Sequence, residues 1–201
     1  MSSLIEASKA PGYPAEIAVV ISNRPDAPGL AKAAEAGIAT KTIDHTAYPS
    51  RQAFEQVLDD ALQEAGAELI CNAGFMRLLT EYFVDRWRDR QLNIHPSLLP
   101  AFKGLDTHSR VLEAGAMITG CTVHFVRLET DSGPIIAQAA VPVRSDDTPE
   151  SLAARVLVAE HKLYPLALRL IASGAAQVKG NRVIWKNGSA DCGTLFWPPI
   201  G

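Results

Sequence analysis

The sequence contains no apolar run near the roughly 18 residues needed to cross a bilayer. Its first residues, Met1 to Glu6, also lack the basic and apolar stretches of a secretion signal. A soluble, cytoplasmic protein is therefore expected. Cysteine is scarce: Cys71, Cys121 and Cys192 are an odd number at wide spacings, which argues against a disulfide framework and a thiolate zinc site. Cys71 and Cys121 lie in apolar runs and read as buried structural thiols. No His-x-x-x-His or Cys-x-x-Cys spacing occurs, so no metal is expected. Charge of one sign is lacking too. The 19 Lys and Arg against 22 Asp and Glu give a formal net charge of -3, leaving no global field to hold nucleic acid or an anionic membrane. Internal repeats and low-complexity tracts are absent.

What is present is a chain of 201 residues, 47% of them hydrophobic, enough for one core. Short β-branched runs alternate with helical patterns. This predicts an α/β fold, a mostly parallel twisted sheet flanked by helices in one domain over residues 1–201. Strands are predicted at 17–21, buried on both faces, near 40–43, and at 69–73 and 92–94. Helices are predicted at 2–9, 29–36, ending at Gly37, at 51–65 and at 81–87. The second half differs, with two longer strands at 119–127 and 134–143 joined as a hairpin or by a wider loop. A last helix is predicted from Asp147, as cap, with Glu150 completing a capping box, to Ser173; Pro165 should kink or end it near Tyr164. Residues 187–201, rich in Gly, Pro and Ser, read as a flexible tail.

Ligands of parallel sheets bind beyond the carboxyl ends of the strands. This rule picks out residues 22–28, 74–79, 95–103, and 129–133 if that loop opens to the same side. Asn93 and His95 are two apart in a strand, so both side chains face one way and an amide and an imidazole can converge on one small group. Asn93 suits a developing oxyanion, and His95 a second hydrogen bond or a proton. A turn-satisfying Asn93 and a packed strand-end His95 stay open on spacing alone. Asp131 is a candidate for orienting the imidazole, although Asp131-Ser132-Gly133 is also ordinary turn chemistry. His124 alternates with Val123 and Phe125 and reads as a core or supporting residue; His108 opens a helical pattern, which it caps unless it touches ligand. Arg77 offers a bidentate partner for a carboxylate, with Met76, Leu78 and Leu79 as an apolar wall.

Five segments in order carry a resemblance over nearly the whole chain. They are Ala73-Gly74-Phe75-Met76-Arg77-Leu78-Leu79, Asn93-Ile94-His95-Pro96-Ser97-Leu98-Leu99-Pro100, Gly120-Cys121-Thr122-Val123-His124-Phe125-Val126, Asp131-Ser132-Gly133-Pro134-Ile135-Ile136 and Glu160-His161-Lys162-Leu163-Tyr164-Pro165. Together they resemble the glycinamide ribonucleotide formyltransferase family. That resemblance implies a Rossmann-like domain with an antiparallel C-terminal part, acting as a monomer or homodimer on small molecules. It implies 10-formyltetrahydrofolate as formyl donor and the amine of glycinamide ribonucleotide as acceptor, in purine biosynthesis. The family's catalytic Asn, His and Asp fall on Asn93, His95 and Asp131. The amine would attack the formyl carbon directly, and Asn93 and the His95 imidazolium would stabilise the tetrahedral oxyanion. Asp131 would support the ring and help order a proton-carrying water.

The resemblance further implies that the donor's pterin lies among Met76, Leu78, Leu79 and the backbone of Arg127, Leu128, Glu129, Thr130 and Asp131, with Arg77 on its carboxylate side. Thr122 would support Asp131 or its water, Pro96 and Glu160 would lie near the acceptor, and Leu99–Pro100 would be cis. The apolar strand and Gly-x-Gly-Ser-Asn loop that hold the acceptor phosphate in that family have no counterpart before Met1-Ser2-Ser3-Leu4. The expectation is a start assigned too late rather than an enzyme shortened by a strand. A hydrolase of the same formyl-folate is an alternative, as is a non-catalytic folate or nucleotide binder.

Overall fold

Apolar residues at helical spacing decide where the sheet is covered, and so where it is left open for ligands. The computed structural model describes residues 1–186; the expected tail, 187–201, and Cys192 lie outside them. The helices are α1 (Ser2–Ser8), α2 (Pro28–Glu35), α3 (Arg51–Glu64), α4 (Glu81–Arg86), α5 (Thr107–Glu113) and α6 (Pro149–Ala172). The strands are β1 (Val20–Ser22), β2 (Thr40–Thr42), β3 (Ile70–Cys71), β4 (Gln91–His95), β5 (Ile118–Phe125), β6 (Ile135–Pro142), β7 (Ala176–Lys179) and β8 (Arg182–Trp185). On α6, Leu152, Val156, Leu163 and Ala167 recur at intervals of four, seven and four and form one buried face. That face closes the main core with Leu92, Cys121, Val123, Phe125 and Ile136. Burying each large side chain contributes about 1.5–3 kcal/mol.

The strand pairing is mixed, parallel in the first half of the chain and antiparallel in the second, as the expected antiparallel C-terminal part requires. β3 and β4 pair parallel, whereas β4–β5 and β5–β6 are antiparallel. β1 and β2 form a separate parallel pair, and β7–β8 a hairpin. β1 is also shorter than expected and half-buried, because β2 is its one strand partner among the described residues and residues 17–19 have no ladder to join. No helix among the described residues is long and apolar enough to cross a membrane.

The hydroxyl of Tyr164, buried on α6, shares its proton between the carbonyls of Asn72 and Leu92, at 2.9 and 3.1 Å. This fixes the helix against β3 and β4. Pro165 does not end α6, because packing against α1, α5, β5 and β6 holds the helix past the missing bond. The cap is Thr148, with Ser151 rather than Glu150 as reciprocal partner. Asp147 is not free to cap, since Arg155 holds both its oxygens, at 2.5 and 2.6 Å.

The Arg155 hydrogen bonds, opposed by burial and helped by the Arg144 amide and Ser151, hold the Asp147 carboxyl far below its ordinary range. A depressed folded-state value means stability that is present above the unfolded value of 3.8 and lost as pH falls through the folded one. Asp147→Asn is therefore expected to cost about 1–3 kcal/mol in urea denaturation near pH 7, with the gap to wild type closing as pH drops below about 4. A gap independent of pH would refute this assignment.

Candidate active site

Parallel pairing of β3 and β4 puts their carboxyl ends, and the loops 73–80 and 96–106 that follow, at one end of the sheet. The third loop, 126–134, leaves from the other end. β5 runs antiparallel to β4, so Phe125 lies opposite Leu92, and the Val126 N–H donates to the Gln91 carbonyl at 2.8 Å. The loop then folds back over the sheet and delivers Asp131 in a left-handed conformation, φ 51°.

There Asp131 meets the residues that the strand period placed on one face. Its Oδ2 lies 3.3 Å from His95 Nδ1 and accepts the Gly104 N–H at 2.9 Å; its Oδ1 lies 3.6 Å from His124 Nε2. The His95 and Asp131 side chains are 7% and 8% exposed, so the pair is shielded from water and screening is weak. Burial, the largest influence on Asp131, pushes its carboxyl up. The hydrogen bonds from His124 and the Gly104 amide, with the charge of His95 and His124, overcome it and leave the carboxyl below its ordinary value. His124 donates Nδ1–H to the Phe125 carbonyl at 2.9 Å, and Asn93 Nδ2 lies 3.5 Å from His124 Nε2. With His124 Nε2–H turned to Asp131, the Asn93 amide does not donate to that ring and keeps its N–H groups for a ligand.

His95 Nε2 donates to the Phe102 carbonyl at 2.9 Å. Each ring nitrogen thus faces an acceptor, the carbonyl on one side and the carboxylate on the other, an arrangement suited to an imidazolium. Burial lowers the pKa of nearby His108, and the charge of His95 adds to this; His108 Nδ1 is buried without a partner.

Other expected residues are placed differently. Thr122 does not reach Asp131. Its buried hydroxyl donates to the Ser97 carbonyl at 2.7 Å and accepts the Leu99 N–H at 3.0 Å and Gln138 Nε2 at 2.9 Å. It therefore shapes the turn after His95, in which Leu99–Pro100 is cis. Arg127 pairs with Asp89, away from the loop ends, and Glu129 with Lys103 at 3.0 Å. Leu128 and Thr130 are exposed and Pro96 is half-buried. Met76 and Leu78 stand out at 82% and 62% exposed, with Arg77 exposed between them and Leu79 partly buried. On α6, Glu160 is half-buried, and burial pushes its carboxyl up. Sequence reasoning missed the Gly104 amide, the Phe102 carbonyl and Gln138. Gln138 had a signal, a polar residue in an apolar strand opposite Thr122. Among the described residues, no cluster of His, Cys, Asp and Glu is arranged to hold a metal.

A family model described as formyl transferase matches residues 1–168. Phosphoribosylglycinamide formyltransferase of Escherichia coli (strain K12) is 40% identical over 188 residues, covering 94% of this chain and 88% of that protein. The trifunctional purine biosynthetic protein adenosine-3 of Gallus gallus is 52% identical over 187 residues, 92% of this chain. This chain spans only 19% of that protein's length, and 18% of its counterparts in Bos taurus and Homo sapiens. The crystal structure of glycinamide ribonucleotide transformylase 1 from Symbiobacterium toebii aligns at TM-score 0.89 and 47% identity, over 92% of this chain and 87% of that one. The α/β fold is thus shared with enzymes whose names mark them as formyl-transferring. The chain belongs to the formyl transferase family.

Proposed function

We propose that this chain transfers the formyl group of 10-formyltetrahydrofolate to the amine of glycinamide ribonucleotide in the cytoplasm, with Asn93, His95 and Asp131 as its catalytic residues. The observation that carries the proposal is the convergence of all three on one buried point, through His95–Asp131 at 3.3 Å and the Asn93–His124–Asp131 contacts. When the acceptor amine attacks the formyl carbon, charge develops on the formyl oxygen. The free Asn93 N–H and a His95 ring N–H supply the donors that stabilise it. For His95 to do so through Nε2, the Phe102 carbonyl gives way to the substrate oxygen. Asp131 holds the ring in place and keeps a negative charge beside it. Through water at the Asp131 side the proton shed by the amine reaches the folate nitrogen that carried the formyl group; the bond from that nitrogen to the formyl carbon then breaks, tetrahydrofolate leaves, and no covalent bond to the protein is needed.

On the donor side, Met76 and Leu78 supply apolar contact for the pterin with Leu79 and the backbone of residues 127–131, and Arg77 supplies charge for the folate's carboxylates. This chemistry fits the folate, since two large apolar side chains are otherwise left in water. Glu160 and Pro96 face the acceptor. The test is to incubate protein with formyl-folate, with and without glycinamide ribonucleotide, and follow the folate absorbance. Consumption that requires the acceptor and forms formylated nucleotide is expected. Consumption without acceptor would show a hydrolase, and none in either case would overturn the proposal.

A further inference from the structure

Among the described residues, the segment that the proposed donor site needs in a fixed place has no backbone–backbone hydrogen bonds. The Asn72 N–H donates to Leu92 O at 2.9 Å, and the next such bond along the chain is Val84 N–H to Thr80 O at 3.1 Å. Residues 73–79 between them are neither helix nor strand. They are held from beneath by α3. Phe75 packs on Phe54 and Ile43, and Leu79 joins Leu62, Phe83 and Trp87. These two inward residues bracket the exposed Met76, Arg77 and Leu78.

The end of the segment is fixed by a less ordinary group. Glu55, next to Phe54 on α3, is 0% exposed, and its carboxylate accepts both the Thr80 N–H, at 2.8 Å, and the Thr80 hydroxyl. Among the described residues no Lys, Arg or His pairs with it. A carboxylate buried without a cation is costly, and an apolar residue there would serve packing better. Thr80 is equally diverted: it is the N-cap of α4, yet its hydroxyl caps nothing in its own helix. Both departures from good helix chemistry meet in one contact, at the point where the donor-facing segment ends.

We infer that Glu55 is a positioning residue for formyl-donor binding: by gripping Thr80 while Phe54 grips Phe75, it fixes the span that presents Met76, Arg77 and Leu78. The inference rests on the reading that this span binds the folate. Glu55 touches no substrate and acts through Thr80.

Glu55→Leu, Thr80→Val and their combination separate this role from simple support, because the combination removes the buried carboxylate and the hydroxyl together and leaves the residue 80 N–H as the one group without its acceptor. In each variant and in the double variant, the KM for formyl-folate is expected to rise about tenfold, with kcat and the acceptor KM within about twofold of wild type. Thr80→Ser should behave as wild type, and the amides of residues 73–79 should exchange hydrogen faster in Glu55→Leu and Thr80→Val. A lowered Tm with the folate KM unchanged would reduce Glu55 to a tie between α3 and α4 and overturn the inference. Met76→Ala distinguishes the underlying reading. If it raises the folate KM while Thr80→Val does not, only the inference fails. If it leaves the folate KM unchanged, the span is not the donor site, and the exchange rates alone decide whether Glu55 holds it.

Discussion

Asp131→Asn is expected to lower kcat by about 10²- to 10⁴-fold while the fold and folate binding persist. An asparagine oxygen can still accept the Gly104 N–H, so the loop keeps its anchor. What is lost is the charge. The oxygen that stays with Gly104 and faces His95 Nδ1 is neutral, and the amide NH2 takes the Oδ1 position opposite His124 Nε2, where no acceptor remains for a ring N–H. The imidazolium needed beside a developing oxyanion is then unsupported. Because the wild-type carboxyl sits below its ordinary value of 3.8, its negative charge is present above that value and is lost only as pH falls through the lowered one. Loss of Asp131 should therefore depress kcat throughout the neutral range rather than merely shift an acid limb. Steady-state rates at saturating substrates, with circular dichroism as a folding control, decide it, and a variant within a few-fold of wild type would refute the assignment.

The second large effect is one of stability, through Gly133. A Cβ there would stand 1.8 Å from the Phe125 carbonyl oxygen and 2.8 Å from its carbon, where the loop closes through Phe125 N–H to Pro134 O at 2.9 Å. Backbone cannot give way as a flexible side chain would. Gly133→Ala is expected to cost about 2–4 kcal/mol in urea denaturation. The closing bond also fixes the return of the chain three residues after Asp131, so kcat should fall even where the variant is fully folded. Wild-type stability would mean that the loop shifts freely, and with it the account of how Asp131 is held.

How much of this was legible beforehand depends on how local each feature is. Asn93 and His95 were readable as a pair because the two-residue period of a strand is a property of the chain itself. Asp131 was readable as a candidate from its turn chemistry, but not its approach. That depends on β5 pairing antiparallel to β4, and on a loop that leaves the wrong end of the sheet and folds back. The partners that orient the ring, the Phe102 carbonyl and the Gly104 amide, belong to the backbone and carry no residue signature. The cap of α6 moved one residue because Arg155, two turns on, claimed Asp147. Glu55 was hidden as an acid on an amphipathic helix. Its spacing from Leu58, Asp59 and Leu62 nevertheless places it on the inward face, a signal available to a stricter count.

The Tyr164 hydroxyl, shared between Asn72 just after β3 and Leu92 near the start of β4, has a further consequence. Glu160, which faces the acceptor in the proposed reaction, lies one turn earlier on the same helix face. The phenol therefore works as a gauge block. It sets the spacing between α6 and the β3–β4 pair, so in the proposed reaction a tilt of α6 would carry the acceptor side and the donor side together.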